Sequence, residues 1–155
     1  MFTGKMVTEA IPARVFALYK IVTSKKNISR LALQGLMEPK EIYEGTSYFS
    51  TILKTAIELK LVDVQDNYVT AIVPEEKLKT IEDLRMYIIS KLDNYEEEQF
   101  YKCTNAIVNL DEKIYKYRSI SDNEMLNYLS QKSNQQITAP MARGWRFWAQ
   151  FLGFG

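Results

Sequence analysis

The spacing of apolar residues changes abruptly near residue 60, and this change limits the possible folds more than any other feature of the chain. In the stretch YFSTILKTAIELKLV, apolar residues follow the i, i+3, i+4 spacing of a helix with one buried face. Directly afterwards, LVDV and YVTAIV alternate with a period of two around the turn-forming residues Gln65-Asp66-Asn67. The sequence therefore predicts an amphipathic helix followed at once by a β-hairpin. The predicted buried residues of this helix are Phe49, Ile52, Leu53, Ala56 and Leu59.

Two helices are predicted upstream, the second of them short. The first begins at Pro12, because proline lacks the N–H that the first turn of a helix leaves unpaired, and it ends in the polar run 24–27. The second, Arg30–Met37, is predicted to be capped by Ser29, and Ser47 is the predicted cap of the helix that leads into the hairpin. The predicted apolar side of the second helix consists of Leu31, Leu33 and Leu36.

Every element predicted in the second half of the chain is a helix. Residues 80–83 form a variant of the capping box in which Asp83 replaces the usual Glu or Gln, and residues 121–124 form a second box. Thr138 is the predicted cap of the last helix, and Gly153 is its predicted end. These helices cover about 81–92, 96–117, 121–129 and 139–152. The helix over 96–117 is predicted to bury Phe100, Cys103, Ile107, Leu110 and Ile114.

Three helices followed by a hairpin, from Pro12 to about Ala71, resemble the winged helix-turn-helix superfamily. The resemblance implies a three-helix core, a β-hairpin wing and double-stranded DNA as the ligand. The predicted fold is therefore mainly α, with an N-terminal winged helix in residues 1–73 and a helical domain in residues 74–155.

The last helix, MARGWRFWAQFLGFG, repeats the apolar spacing of YFSTILKTAIELKLV. Two interpretations remain open. Either this helix simply packs on the body of the domain, or residues 119–155 are a second winged helix that stops at Gly155, where its wing would begin.

The combination of LKLVDV, a helical section and GWRFWAQFLGFG also resembles the front portion of DpdG-type proteins. Those belong to bacterial clusters that insert 7-deazapurines into DNA and restrict foreign DNA, and they are longer, which implies a fragment here.

The chain contains no histidine and one cysteine, Cys103. A structural zinc site needs about four Cys or His ligands, and a Ser-His-Asp or Cys-His site needs an imidazole base. Gly-rich phosphate loops, HExxH and GxSxG are missing as well. We therefore expect a non-enzymatic protein with no metal and no cofactor, in which Cys103 is a small core residue. Neither a signal peptide nor a membrane span is recognisable, which predicts a cytoplasmic protein without a membrane partner.

The polar face of the helix that precedes the hairpin carries the predicted DNA site. A helix in the major groove needs small polar side chains and a base on its exposed face. An ordinary solvated face is the alternative for each of these residues. The predicted DNA-binding residues are Tyr48, Ser50, Thr51, Lys54 and Thr55, with Lys60 reaching a backbone phosphate.

A second possible surface lies in the last helix, where Arg143 and Arg146 alternate with Trp145 and Trp148. Arginine and aromatic side chains that alternate in this way can stack on bases. In the alternative interpretation both tryptophans are in the core and both arginines point to solvent.

Charge is unevenly distributed along the chain. Residues 1–73 carry nine basic and seven acidic side chains, residues 75–98 carry four basic and eight acidic ones, and the whole chain has a net charge of +1.

The predicted function is DNA binding, as a transcription regulator or as a subunit of a DNA-processing or phage-defence assembly with other proteins of the same system. The alternative is a protein–protein adaptor that uses the winged helix as a scaffold, which the near-neutral charge, the acidic middle and the Trp-rich end suggest.

Overall fold

A computed structural model describes residues 1–154 of the protein. The chain forms two units, one from Glu9 to Tyr87 and one that combines Met1–Thr8 with the chain from Ile88 onward. Helices make up most of both units, in agreement with the predicted mainly α fold. The sequence divided the chain after Val73, whereas in the structure the helix Ile81–Lys91 runs across the division between the units.

The first unit contains three helices and a small sheet, followed by the start of a fourth helix. In chain order its elements are α1 (Pro12–Lys25), β1 (Asn27–Ser29), α2 (Arg30–Met37), α3 (Phe49–Glu58), β2 (Val62–Gln65), β3 (Tyr68–Ala71) and α4 (Ile81–Lys91). A single turn of 3₁₀ helix, Glu75–Lys77, lies between β3 and α4. The predicted start of α1 at Pro12 and the predicted cap of α2 are confirmed, since the Ser29 hydroxyl accepts the N–H of Ala32.

The three strands form an antiparallel sheet in the order β1-β3-β2, so β3 is central. Val69 of β3 pairs with Ile28 on one side and with Val64 on the other. Asp66 and Asn67 both have positive φ, 51° and 62°, which is the geometry of a tight two-residue hairpin turn. The hairpin was predicted, but β1 was not, because a three-residue strand is too short to show an alternating pattern.

The core of the first unit lies between α1, α3 and the sheet. All five residues predicted to be buried on α3 are at most 4% exposed, so this prediction is confirmed. The prediction for α2 is wrong in part, because Leu33 is buried whereas Leu31 is 81% and Leu36 is 49% exposed. Leu31 stands about 200° around the helix from Leu33, so the two side chains cannot share one face.

Two tyrosines connect the helices of this unit to loop carbonyls. The hydroxyl of Tyr19 donates to the carbonyl oxygen of Val73 (2.8 Å), and that of Tyr87 donates to the carbonyl oxygen of Leu59 (2.9 Å). The box before α4 forms as predicted, because Thr80 and Asp83 exchange side-chain-to-backbone bonds of 2.9 and 3.2 Å. These contacts secure the chain that follows the hairpin.

The second unit consists of helices and short 3₁₀ segments. After α4 its elements are the 3₁₀ turn Leu92–Tyr95, α5 (Gln99–Val108), the 3₁₀ segment Asp111–Lys116, α6 (Asn123–Ser133) and α7 (Ala139–Leu152). The single helix predicted over 96–117 is wrong, because α5 ends at Val108 and Asp111 has a left-handed φ of 49°. Ile114, predicted to be buried, is consequently 37% exposed.

The boundaries of α6 also differ from the prediction. Its cap is Asp122 rather than Ser121, with the carboxylate accepting the N–H of Glu124, and the helix extends to Ser133. Thr138 and Gly153 do bound α7 as predicted, and Gly153 has a φ of 93°. Gly155, where the wing of a second winged helix was expected to begin, lies outside the described residues.

An aromatic cluster forms the core of the second unit. The ring of Phe2 lies 4.8 Å from that of Phe100 and 4.9 Å from that of Trp148, centroid to centroid. Gly144 on α7 lets the N-terminal segment approach, because a Cβ there would lie 2.2 Å from the carbonyl oxygen of Val7. Met1, Phe2 and Met6 of the N-terminal segment are therefore part of the core of this unit, which no local pattern in the sequence indicated.

Candidate nucleic-acid interface

One stripe of α3 faces away from the core of the first unit. Ser50 and Lys54 are exposed and Ile57 is 39% exposed, at positions i, i+4 and i+7 of the helix. The stripe thus presents a hydroxyl, an ammonium group and an alkyl side chain in line. These are the chemical groups that major-groove contacts use: hydrogen bonds to base edges, charge for phosphates, and methyl groups for thymine.

Arg30, the first residue of α2, joins this stripe. Its Nη2 donates a hydrogen bond to Oγ of Ser50 at 3.3 Å. A guanidinium has five N–H donors, so this single bond leaves most of them available to a ligand. The sequence did not predict Arg30 as part of the site, because residues 30 and 50 belong to different helices and only the tertiary structure brings them together.

Arg14 lies at the same end of the surface as Arg30, near the start of α3. Its guanidinium carbon lies 5.8 Å from the ring centroid of Tyr48, within the range of a cation–π contact. Its Nη1 also donates to the carbonyl oxygen of Glu9 at 3.0 Å. Tyr48 is half-buried as a result, and its ring contributes to the surface together with an arginine that the sequence prediction had assigned elsewhere.

The N-terminus of α3 is capped by a distant carboxylate and not by Ser47, whose predicted role is therefore wrong. Glu38 accepts the backbone N–H groups of Tyr48 (2.9 Å) and Phe49 (3.0 Å), and the hydroxyl of Ser47 donates to it (2.7 Å). Burial alone would raise the pKa of Glu38, but these hydrogen bonds together hold that pKa below its ordinary value. A carboxylate already occupies the positive end of the α3 dipole, so this helix end is not open to another anion.

Thr55 does not belong to the exposed face. It is 0% exposed, and its hydroxyl donates to the carbonyl oxygen of Thr51 one turn earlier, so the prediction that Thr55 contacts DNA is wrong. The reason is its position between the buried rows of the helix, four residues before Leu59. Thr51 itself is half-buried.

Lys60 lies beyond the C-terminal end of α3, where it has a φ of 56°, and it is exposed. Its backbone N–H donates to the carbonyl oxygen of Ile57 at 2.9 Å. The turn thus continues directly from the helix, and the side chain remains accessible to a phosphate.

The hairpin carries no positive charge. Its ten residues from Val62 to Ala71 include Asp63 and Asp66 but neither lysine nor arginine. Asp66 sits in the turn with positive φ, and the neighbouring Tyr68 is 49% exposed. The cations of the candidate surface therefore come from the helices and the turn after α3 rather than from the hairpin.

The second predicted surface, on α7, has the arrangement of the alternative interpretation. Trp145 is 5% and Trp148 0% exposed, whereas Arg143 and Arg146 are exposed. The indole N–H of Trp145 donates to the hydroxyl oxygen of Thr104 at 2.9 Å. The tryptophans therefore cannot stack on bases.

No protein-family model matches the chain, and neither does any curated protein or solved structure. Within residues 1–154, no three or more Cys, Asp or Glu side chains are grouped so that they could hold a metal ion. Over the same residues, every helix is too short or too polar to cross a membrane.

Proposed function

We propose that the unit Glu9–Tyr87 is a winged helix-turn-helix that binds double-stranded DNA through α3, with no catalytic activity. The order of its elements supports this proposal, since α2 and α3 follow one another and a hairpin comes directly after α3. The central position of β3 adds support, because it joins the hairpin to β1 just before α2.

The hydrogen bond between Arg30 and Ser50 is the observation that carries the DNA proposal. It adds to the exposed stripe of α3 the residue type that most often reads guanine, which α3 itself lacks. From Ser50 to Ile57 the stripe extends about 10 Å along the helix. That length corresponds to roughly three base pairs at about 3.4 Å each, the reach expected of one recognition helix.

The number of cations predicts a modest affinity. With Arg30 directed at a base, Arg14, Lys54 and Lys60 can neutralise about three phosphates, so the logarithm of the binding constant should fall with a slope of about −3 against the logarithm of salt. The two aspartates of the hairpin would repel phosphates, so the hairpin is expected to remain outside phosphate contact.

Fluorescence anisotropy with a labelled mixed-sequence duplex, in low and moderate salt, tests the proposal. Lys54→Ala should weaken binding and flatten the salt slope by about one unit. Lys79→Ala is the matched control, because Lys79 is exposed in the same unit and precedes α4, away from α3 in sequence. If the unmodified protein binds no duplex even at about 50 mM salt, the proposal is wrong.

A specific observation also favours the adaptor function as a second candidate. Leu31 of α2 is 81% exposed and Ile42, in the segment before α3, is 82% exposed. Apolar side chains that are this exposed favour protein contacts where they form a contiguous patch. Both tryptophans of the end that first suggested an adaptor are buried, so the exposed apolar side chains of α2 replace them as the candidate contact.

Two variants separate the adaptor from the DNA-binding function. Leu31→Ser with Ile42→Ser should abolish co-purification of a partner while leaving DNA binding intact, if the chain is an adaptor. Ile72→Ser is the control, since Ile72 is 53% exposed in the same unit but lies outside α2 and the segment after it. Co-purification that survives the double change would count against this surface.

As a further part of the DNA proposal, a partner from a DNA-modification or phage-defence system would fit the resemblance to DpdG-type proteins.

A further inference from the structure

A cleft of about 410 Å³ opens on the second unit. Its walls come from the end of α5, the segment between α5 and α6, the first turn of α6, one side of α7 and Phe154 after it. Small-molecule sites in proteins occupy about 300–1,000 Å³, so the cleft is large enough for a small ligand. It plays no part in the DNA contacts proposed above, all of which lie in the first unit.

Most of the cleft wall is hydrocarbon. Ile107, Met125 and Trp145 line it, and all three are buried or nearly so. The indole N–H of Trp145 is already bonded to Thr104, so the ring offers the cleft carbon atoms and no free donor. Burial of alkyl or aromatic surface against such a wall is favourable.

Two charged residues line the cleft, and both are arginines. Arg118 and Arg146 line it, and no aspartate or glutamate does. Among residues 1–154, neither guanidinium forms an ion pair with a carboxylate. Two guanidinium groups with no carboxylate partner among these residues favour an anionic ligand, and a carboxylate can accept two parallel hydrogen bonds from one of them.

We propose that this cleft binds a small carboxylate with an apolar body, such as a medium-chain fatty acid. Arg118 and Arg146 would hold the carboxylate, while the alkyl chain would lie against Ile107, Met125 and Trp145. A nucleobase fits less well, because its edges need several hydrogen-bonding partners. The uncharged polar side chains that the cleft offers are those of Tyr117, Ser119 and Gln150.

Isothermal titration calorimetry with decanoate and decanol, both kept below the concentrations at which they aggregate, tests the proposal without any variant. The two ligands share the alkyl chain and differ in the charge of the head group. Charge-assisted hydrogen bonds predict that decanoate binds at least about ten-fold more tightly than decanol. Equal affinities, or no binding of decanoate at millimolar concentration, would overturn the proposal.

Arginine variants then test where the carboxylate binds. Arg118→Gln combined with Arg146→Gln should weaken decanoate binding at least about ten-fold and leave decanol binding unchanged. Arg143→Gln is the matched control, because Arg143 is exposed on the same helix but does not line the cleft. An equal loss in Arg143→Gln would show general attraction of anions and would overturn the assignment. Trp145 lines the cleft, so quenching or a shift of tryptophan fluorescence should accompany decanoate binding.

Discussion

Arg30 donates a hydrogen bond from Nη2 to Oγ of Ser50, although the two residues are 20 positions apart and belong to α2 and α3. This contact makes the candidate DNA surface a product of two helices. It also supplies the arginine that α3 lacks, since the cation on the exposed stripe of α3 is Lys54 alone. The strongest predictions about function therefore concern Arg30.

Replacing Arg30 should weaken DNA binding. Arg30→Ala removes one cation and the fork of donors, so we expect a loss of about 1–3 kcal/mol in the free energy of binding to a duplex. Arg30→Lys should lose less, because it keeps the charge but not the planar donors. Anisotropy titrations measure both effects. Arg85→Ala is the control, because Arg85 is paired with Glu82 at 2.6 Å in the same unit, and affinity equal to that of the unmodified protein is expected for it.

The capping carboxylate of α3 should make stability depend on pH. Glu38→Ala removes the acceptor of two backbone N–H groups and should lower the free energy of unfolding by about 1 kcal/mol. Glu38→Gln should cost less, since it retains one oxygen acceptor. Because the pKa of Glu38 is lowered in the folded state, its contribution is present above the ordinary value of 4.5 and is lost as the pH falls through the folded-state pKa.

Urea unfolding followed by circular dichroism at neutral and acidic pH measures this dependence. The difference between the unmodified protein and Glu38→Gln should be largest near neutral pH and should shrink as the pH falls below the ordinary value of 4.5. A difference that does not change with pH would mean that the ionised carboxylate contributes nothing to the cap.

Two glycine variants should have opposite effects on stability. In Gly144→Ala the new Cβ would lie 2.2 Å from the carbonyl oxygen of Val7, so the N-terminal segment must move, at a cost of about 1–3 kcal/mol. Gly35→Ala is the matched change in α2, where nothing lies within 4 Å of the added Cβ. It should stabilise the protein by roughly 0.5–1 kcal/mol, because alanine is the better helix former. Both tryptophans lie in the second unit, so tryptophan fluorescence in urea reports the Gly144→Ala effect directly.

Cys103 should be unreactive in the folded protein. It is 0% exposed, and burial raises the pKa of its thiol to about 12, so almost no thiolate is present at about pH 8. In the native protein, iodoacetamide should therefore modify the thiol only as fast as the second unit opens. In denaturant, it should modify the thiol at the rate of a free thiol such as glutathione. Mass spectrometry of timed samples measures the modification. Rapid modification of the native protein would contradict the buried position of Cys103.

Local sequence signals predicted the elements well where the determining residues are neighbours. Pro12 at the start of α1, the Ser29 cap, the Thr80–Asp83 box and Gly153 at the end of α7 all act within about four residues, and each is found as predicted. The buried face of α3 was predictable for the same reason, because helical periodicity is visible in a short window.

The candidate site was less predictable, because its key contacts are not local. Ser50, Lys54 and Lys60 are exposed as expected, but the polar character of Thr55 suggested exposure for a residue that is fully buried. The predicted DNA site did not contain Arg30, because Arg30 and Ser50 belong to different helices. The Glu38 cap was missed because the carboxylate precedes the backbone groups that it binds by ten or more residues, whereas cap patterns cover three or four.

The sequence by itself determined where most helices begin and end, the position of the hairpin and the absence of imidazole chemistry. These depend on residue identity and on the dihedral preferences of short segments. Only the tertiary structure decided that a residue of α2 completes the exposed stripe of α3 and that Glu38 binds the start of α3. It also decided that the first eight residues pack in the second unit. Such contacts depend on which surfaces meet when apolar area is removed from water, and that is a property of the whole chain.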